Sequence, residues 1–270
     1  MGCNDSLIAG GLADSKNFYV TTSDKPNRRQ VDKAKRLAEE LSAPYLDKRR
    51  SILANRESHH DFYYVVERNR VLIRRQSDIF FFHPSSAKMR MRNWNHGQNE
   101  YLLDAFQLSG GERILDLTLG LGSDAILMGG FLREGQVIGL ESSLHIFTIV
   151  RYGLQDYVDP ADWINESMKR ITPIHADYKT YLRTTPDKSF DLVYCDPMFD
   201  HPVMRSSGLN PIRPFANHEG VSEEDIEEMR RVSRGRVVFK TLIRDRLLGQ
   251  IPVNRVYGSK SSGILYGVIL

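Results

Sequence analysis

Three stretches of this chain carry residue types and spacings suited to chemistry. The first is Asp116-Leu-Thr-Leu-Gly120-Leu-Gly122-Ser123-Asp124, where an apolar run ends, two glycines turn the chain, and a helical pattern begins. Glycines leave no Cβ in a ligand's way, and a helix N-terminus receives an anionic or dipolar group. The second is Glu141, about 20 residues beyond the glycines and at the end of the next apolar run. A carboxylate there accepts hydrogen bonds from ribose hydroxyls in nucleotide-binding sheets. The third is Asp196-Pro197-Met198-Phe199, which ends the run Phe190–Cys195. A nucleotide-bearing cofactor next to a polar reacting group accounts for all three. The glycines alone leave two cofactor classes open, because Gly120-Leu-Gly122-Ser-Asp-Ala125 also satisfies the G-x-G-x-x-A of dinucleotide sites. They also serve as a plain structural turn.

The surroundings favour S-adenosyl-L-methionine (SAM). Asp116 stands four residues before Gly120, the D-x-x-x-G-x-G spacing of SAM methyltransferases, and Asp196–Phe199 approximates the [D/N]-P-P-[F/Y] tetrad of enzymes that methylate base amines. A dehydrogenase needs neither. An exocyclic base amine is a poor nucleophile, because its lone pair is delocalised into the ring. Asp196 and the Pro197 carbonyl would accept its two N–H bonds and turn the lone pair toward the methyl group. Phe199 would stack on the flipped or unpaired base. Catalysis of this kind is positioning plus electrostatics. Asp177, after a third apolar run, is placed to accept from an adenine amine, or to cap the helix that follows, or both. The eight histidines show no metal-ligand spacing; His201, five residues past Asp196, lies in the expected substrate loop. Cys195 reads as a small buried residue, and G-x-S-x-G is missing.

These residues need a scaffold, and the hydrophobic pattern supplies one. From Arg113 onward, the runs Ile114–Leu117, Val137–Leu140, Ile171–His175, Phe190–Cys195 and Arg236–Phe239 alternate with helical segments, including Asp124–Leu132 and Leu144–Tyr157. Such βα alternation predicts a mostly parallel sheet with helices on both faces, a Rossmann-like α/β fold. Ser222-x-x-Asp225 opens a helix. Arg255–Tyr257 and Ile264–Leu270 predict two closing strands at an antiparallel edge, and Gln98–Leu108 predicts a linking helix. Upstream, Phe18–Thr22 reads as a strand, Arg28–Leu41 as a helix, Phe62–Glu67 and Val71–Arg75 as a hairpin, and Ile79–His83 as another strand. The expected organisation is a flexible arm (1–16), a basic α+β module (17–92) and a SAM-binding domain (93–270).

Charge divides along the same line. Residues 1–110 carry 18 Lys and Arg against 13 Asp and Glu, whereas residues 111–270 carry 19 against 21. A basic module beside a near-neutral one fits a polyanion held by the first and chemistry done by the second. Arg28, Arg29, Lys88, Arg90 and Arg92 are the candidate RNA contacts. Lys88, Arg90 and Arg92 alternate with Met89 and Met91, so a strand there would put all three cations on one face. At 41% hydrophobic and 26% charged, the chain can fill a core. Two cysteines exclude a disulfide framework and favour a cytoplasmic setting. No run approaches the ~20 apolar residues of a membrane span. Met1-Gly2-Cys3 through Ser6 fits the myristoylation pattern, which is short and frequent by chance.

With Asp116–Asp124 and Asp196-Pro-Met-Phe199 together, the chain resembles the ribosomal small-subunit RNA guanine-N2 methyltransferase family, whose tetrad reads D-P-M-F. The likeness extends through the basic module and Val237-Val-Phe-Lys240. It implies a class I SAM methyltransferase acting on structured RNA. It also implies that Ser123 and Asp124, Glu141 and Ser142, Asp177 and Tyr178 contact SAM, and that Asp196 lies beside the transferred methyl. The family commonly has Arg at the place of Ser123 and a basic residue at that of Ser142. After Phe199 it continues into a proline and a lysine-rich loop, where this chain reads Asp200-His-Pro-Val-Met-Arg205. That loop is where a substrate is read. Methylation of a small molecule, and RNA binding without turnover, both remain open at this stage.

Overall fold

A computed structural model describes residues 17–57, 60–197, 213–215, 220–243, 249 and 251–270. The arm 1–16, with Gly2 and Cys3, lies outside the described residues, as do Met198, Phe199 and His201. The chain divides into two compact units: residues 1–83, 143–157 and 205–216 in one, residues 84–142, 158–204 and 217–270 in the other.

The first unit begins with β1 (Phe18–Thr22), α1 (Arg28–Glu40), α2 (Lys48–Glu57), β2 (Phe62–Val66), β3 (Val71–Arg75) and β4 (Asp78–Phe81). The strands form one sheet in the order β1-β2-β3-β4, parallel between β1 and β2 and antiparallel thereafter. Helix α1 begins in a capping box, with the Asn27 side chain accepting from the Gln30 amide and Gln30 returning the bond. It buries Ala34, Leu37 and Ala38, the apolar stripe of its sequence.

The second unit opens with α3 (Ser85–Asn95), α4 (Tyr101–Phe106), β5 (Arg113–Asp116), α5 (Ser123–Gly129) and β6 (Gln136–Glu141). Next in the chain comes α6 (Leu144–Asp156), a helix of the first unit, and then α7 (Asp162–Lys169), β7 (Ile171–His175), α8 (Tyr178–Thr184), β8 (Phe190–Cys195), α9 (Glu223–Val232), β9 (Ser233–Leu242), β10 (Arg255–Gly258) and β11 (Ile264–Ile269). Seven strands form a sheet in the order β10-β11-β9-β8-β5-β6-β7. The strands β5 to β9 pair in parallel, and β11 and β10 close the edge antiparallel. This is the Rossmann-like architecture expected. The order reverses at β5, so β5 and β8 flank the topological switch point, beyond whose C-terminal ends ligands bind.

One sequence expectation fails here, with consequences for the site. Lys88–Arg92 is helical, part of α3, and not a strand. The Met/Arg alternation imitates a period of two, but the buried residues are Ala87 and Met91, four apart, while Met89 is exposed. Ala, Met, Lys and Arg are good helix formers. The three cations therefore do not share one face. Helix α4 is shorter than Gln98–Leu108, starting after Glu100, which caps the Leu102 amide, and ending at Gln107 in the left-handed conformation.

Candidate functional site

The C-terminal ends of the parallel strands bring most of the candidate residues together. Asp116 ends β5, Glu141 ends β6, and Asp196 and Pro197 follow β8. The loop after β5 crosses its neighbours: the Leu117 amide bonds to the Tyr194 carbonyl (2.9 Å) and the Leu119 amide to the Leu140 carbonyl (2.8 Å). Gly139 in β6 makes that crossing possible, since a Cβ there would stand 2.6 Å from the Leu119 side chain. Gly120 (φ +50°) and Gly122 (φ +72°) both adopt left-handed backbone, as a sharp turn into α5 requires. The turn is held by Glu141, whose Oε2 accepts the Gly120 amide at 3.1 Å. Asp116 is buried and its Oδ1 accepts the Thr118 amide at 3.0 Å; burial raises its carboxyl well above the usual range.

Thr118 was not singled out by sequence, yet its hydroxyl accepts the Asp196 amide at 2.7 Å and ties the first loop to the fourth. A threonine between an acid and the glycines was the only signal available. Asp196 has one oxygen engaged and one not: Oδ2 is 2.7 Å from the Lys240 ammonium on β9, while Oδ1 is buried without a hydrogen-bond partner among the described residues. Burial raises the Asp196 carboxyl above its ordinary range; Lys240 opposes that and Asp124 reinforces it.

Asp124, in the first turn of α5, turns out to be occupied from within the protein. Arg90 bonds its Oδ1, and Tyr194 Oη (2.8 Å) and Lys240 Nζ (3.0 Å) reach its Oδ2. Burial would raise this carboxyl, but Lys240 and Arg90 outweigh it and hold it well below the usual carboxylate range. Arg90 also reaches both oxygens of Glu100 and the Tyr266 hydroxyl. Lys88 bonds both oxygens of the buried Asp159 at 2.9 Å. Arg90 is therefore enclosed between internal carboxylates and is not placed as a backbone-phosphate contact, while Lys88, 41% exposed, is paired with one internal carboxylate. Arg28, Arg29 and Arg92 are exposed.

Of the remaining candidates, Ser123 opens α5, and Ser142, Asp177 and Tyr178 follow the ends of β6 and β7. Ser123 and Ser142 are half-buried, and the Ser142 carbonyl sits 3.0 Å from His175 Nε2. Asp177 caps α8 through the Thr180 amide at 2.9 Å, and Tyr178 follows it in the first turn. Cys195 is fully buried and burial pushes its thiol up, away from nucleophilic use. Among the described residues there is no metal-ligand cluster, and no helix is long and apolar enough to cross a membrane.

The geometry fits SAM on its own evidence. Gly120, in the left-handed region, leaves open space, with only the Thr118 carbonyl (3.8 Å) within reach of a Cβ there. A carboxylate ends the next strand, and a buried carboxylate oxygen without a partner among the described residues follows the fourth. Comparison with known proteins agrees. Residues 48–262 match the family model described as "Putative SAM-dependent methyltransferase". The uncharacterized protein YpiP of Bacillus subtilis (strain 168) is 34% identical over 253 residues, 93% of this chain and 98% of that protein. Ribosomal RNA small subunit methyltransferase J of Francisella tularensis subsp. novicida (strain U112) is 33% identical over 111 residues, 41% of this chain and 44% of that enzyme. A SAM-dependent methyltransferase from Neisseria gonorrhoeae shares the fold at a TM-score of 0.62 with 17% identity, covering 93% of this chain and 94% of its own. With the family model matched across both the glycine turn and Asp196, this chain belongs to the SAM-dependent methyltransferase family, and SAM is its cofactor.

Proposed function

We propose that this enzyme methylates an exocyclic base amine in structured RNA, with guanine N2 of small-subunit ribosomal RNA as the target. The observation that carries the reading is Asp196 Oδ1, a buried acceptor with no hydrogen-bond partner among the described residues, beside the Pro197 backbone. A buried acceptor left unsatisfied costs free energy, and an amine N–H restores it. Oδ1 and the Pro197 carbonyl accept the two amine hydrogens and localise the nitrogen lone pair. Phe199 stacks on the base. The partial likeness to a ribosomal RNA methyltransferase supports RNA as the substrate class. SAM, when bound, would supply an electrophilic methyl group to the amine lone pair, and the Asp196 carboxylate would receive the proton that the nitrogen then loses. The Gly120–Gly122 turn and Glu141 would hold SAM, with Ser123, Asp124, Ser142, Asp177 and Tyr178 around it. Exposed Arg28, Arg29 and Arg92 meet backbone phosphates. The expected domain division, with its boundary after residue 92, assigns RNA docking to the basic module.

The test is transfer of labelled methyl from SAM to total RNA, followed by nuclease digestion. Label in N2-methylguanosine is expected, and no labelled nucleoside at all sinks the reading. Asp196→Asn should then slow single-turnover transfer about a hundredfold at saturating SAM, ~3 kcal/mol of lost charge stabilisation.

A further inference from the structure

Five charged side chains of the second unit form one alternating line. Glu100 receives Arg90 at both oxygens (2.6 and 2.9 Å), and Arg90 pairs with Asp124. Lys240 stands between Asp124 (3.0 Å) and Asp196 (2.7 Å). Each cation bridges two carboxylates, and the line is mostly removed from solvent, with side-chain exposures of 9% at Glu100, 12% at Asp124, 18% at Lys240 and 24% at Asp196. Three acids against two bases leave one negative charge uncompensated. Its location follows from the two ends. Glu100 has both oxygens on Arg90 and Oε1 also on the Leu102 amide, whereas Asp196 Oδ1 has no partner among the described residues.

We propose that Lys240 is a positioning residue for methyl transfer: anchored from behind by Asp124 and Arg90, its ammonium keeps Asp196 charged and turned so that Oδ1 faces the reacting amine. The proposal rests on the base-amine reading for what Asp196 meets, but not for how Asp196 is held. Two buried carboxylates this close repel, and without a cation between them one takes a proton. A protonated Asp196 would no longer counter the positive charge that grows on the nitrogen as its lone pair forms the new bond, nor receive the proton the nitrogen then sheds. A purely structural tie would need only the Lys240–Asp124 contact; the second contact, on the site's own carboxylate, is what a structural role leaves unexplained. The groups facing Asp196 are Lys240 on β9, Asp124 on α5, Arg90 on α3, Asp116 at the end of β5 and the neighbouring Tyr194 on β8. Burial opposes the charged Asp196, Lys240 favours it and Asp124 disfavours it, so Lys240 is the principal support.

The experiment is an NMR titration of the full chain carrying isotope-labelled aspartate side-chain carboxyls, with SAM bound. The Asp196 resonance is identified by its loss in Asp196→Asn. In Lys240→Met the Asp196 midpoint should rise by about one to three pH units, the usual effect of a lost opposite charge at this range, and Lys240→Arg should restore it. Lys240→Gln, which keeps a donor without the charge, should behave as Lys240→Met and serves if that variant does not fold. SAM affinity by calorimetry should stay within about threefold, since roughly 0.65 kcal/mol bounds the change. An unmoved Asp196 midpoint in a folded, SAM-binding variant overturns the proposal. A shifted midpoint in the variant, with no methyl reaching RNA from the unsubstituted chain, instead overturns the base-amine reading and leaves the hold of Lys240 on Asp196 in place.

Discussion

Tyr64 in the first unit and Asp124 in the second are both buried polar groups, and what surrounds them differs in kind. Tyr64 lies among rings. Its hydroxyl is 2.7 Å from His145 Nδ1 on α6, and Phe62 stacks on Phe18 at 5.0 Å and meets His145 and Phe215 edge-on at 4.8 and 5.0 Å. Asp124 lies among charges, with Arg90 and Lys240 against it. The aromatic cluster derives its stability from area removed from water and from ring geometry, neither of which depends on pH in the acid range. The charged line depends on every member being present, because each buried ion is tolerable only beside its partners. The first unit holds shape, and the second holds charge at an address.

That contrast can be broken from either side. Phe62→Ala should destabilise by about 3–5 kcal/mol through the cavity it leaves, at any pH between 4 and 8, as read by urea unfolding. Asp124→Ala should cost a similar ~3–5 kcal/mol at pH 7, since Arg90 and Lys240 would each lose one of the two carboxylates they bridge. Its signature is the pH dependence. The folded-state pKa of Asp124 is depressed, so its contribution is fully present above the unfolded carboxylate value of about 3.9 and is lost as pH falls below it toward the folded value. The gap between parent and Asp124→Ala should therefore narrow on acidification, whereas the gap for Phe62→Ala should not. Asp116 and Asp196 have raised values and act in the opposite sense, losing stability as pH rises from the unfolded value. A constant Asp124→Ala gap from pH 7 down to 3 would mean the line is not acting as charge.

A smaller effect sharpens the comparison inside the aromatic unit. Tyr64→Phe removes one hydroxyl and leaves His145, 1% exposed, without that partner at Nδ1. The expected loss is about 1–3 kcal/mol, the penalty for a buried polar atom left unsatisfied. A change below ~0.5 kcal/mol would place the stability of the cluster in its ring packing alone.

The sheet was legible in the sequence because its signals are local. Ile114–Leu117, Val137–Leu140 and Phe190–Cys195 are continuous apolar runs, as strands covered on both faces must be, and the glycines at 120 and 122 mark where the chain must turn left-handed. Helix α3 was misread because local alternation at Met89-Arg90-Met91-Arg92 outweighed the i, i+4 pair Ala87 and Met91, and only burial decides between them. The charged line was not legible at all. Residues 90, 100, 124, 196 and 240 share no spacing, and what joins them is the pairing of β8 with β9 and the packing of α3 on α5. For the same reason a charge count does not reveal which cations are paired within the protein. Lys88 and Arg90 contribute to the basic excess but are neutralised by Asp159, Glu100 and Asp124, all further along the chain.

The smallest expected effect tests whether an ion pair matters where it is not enclosed. Arg151 on α6 bonds Glu40 on α1, but the two side chains are 29% and 42% exposed, so water screens the pair and competes for both partners. Exposed pairs contribute about 0.2–1 kcal/mol, several times less than the loss expected at Asp124. The guanidinium also lies over the Tyr152 ring at 4.7 Å, and this contact adds about 0.5–1 kcal/mol that salt hardly affects. Arg151→Ala should lose both contributions, and Glu40→Gln should lose only the charge. Arg151→Lys should keep the charge while losing the flat stack on Tyr152. Urea unfolding at low and high ionic strength separates them: the Glu40→Gln loss should vanish in about 0.5 M salt, where screening is nearly complete, while part of the Arg151→Ala loss should persist. A Glu40→Gln loss that survives high salt would put this pair in the same class as Asp124 and remove the distinction between screened and enclosed charge on which the comparison stands.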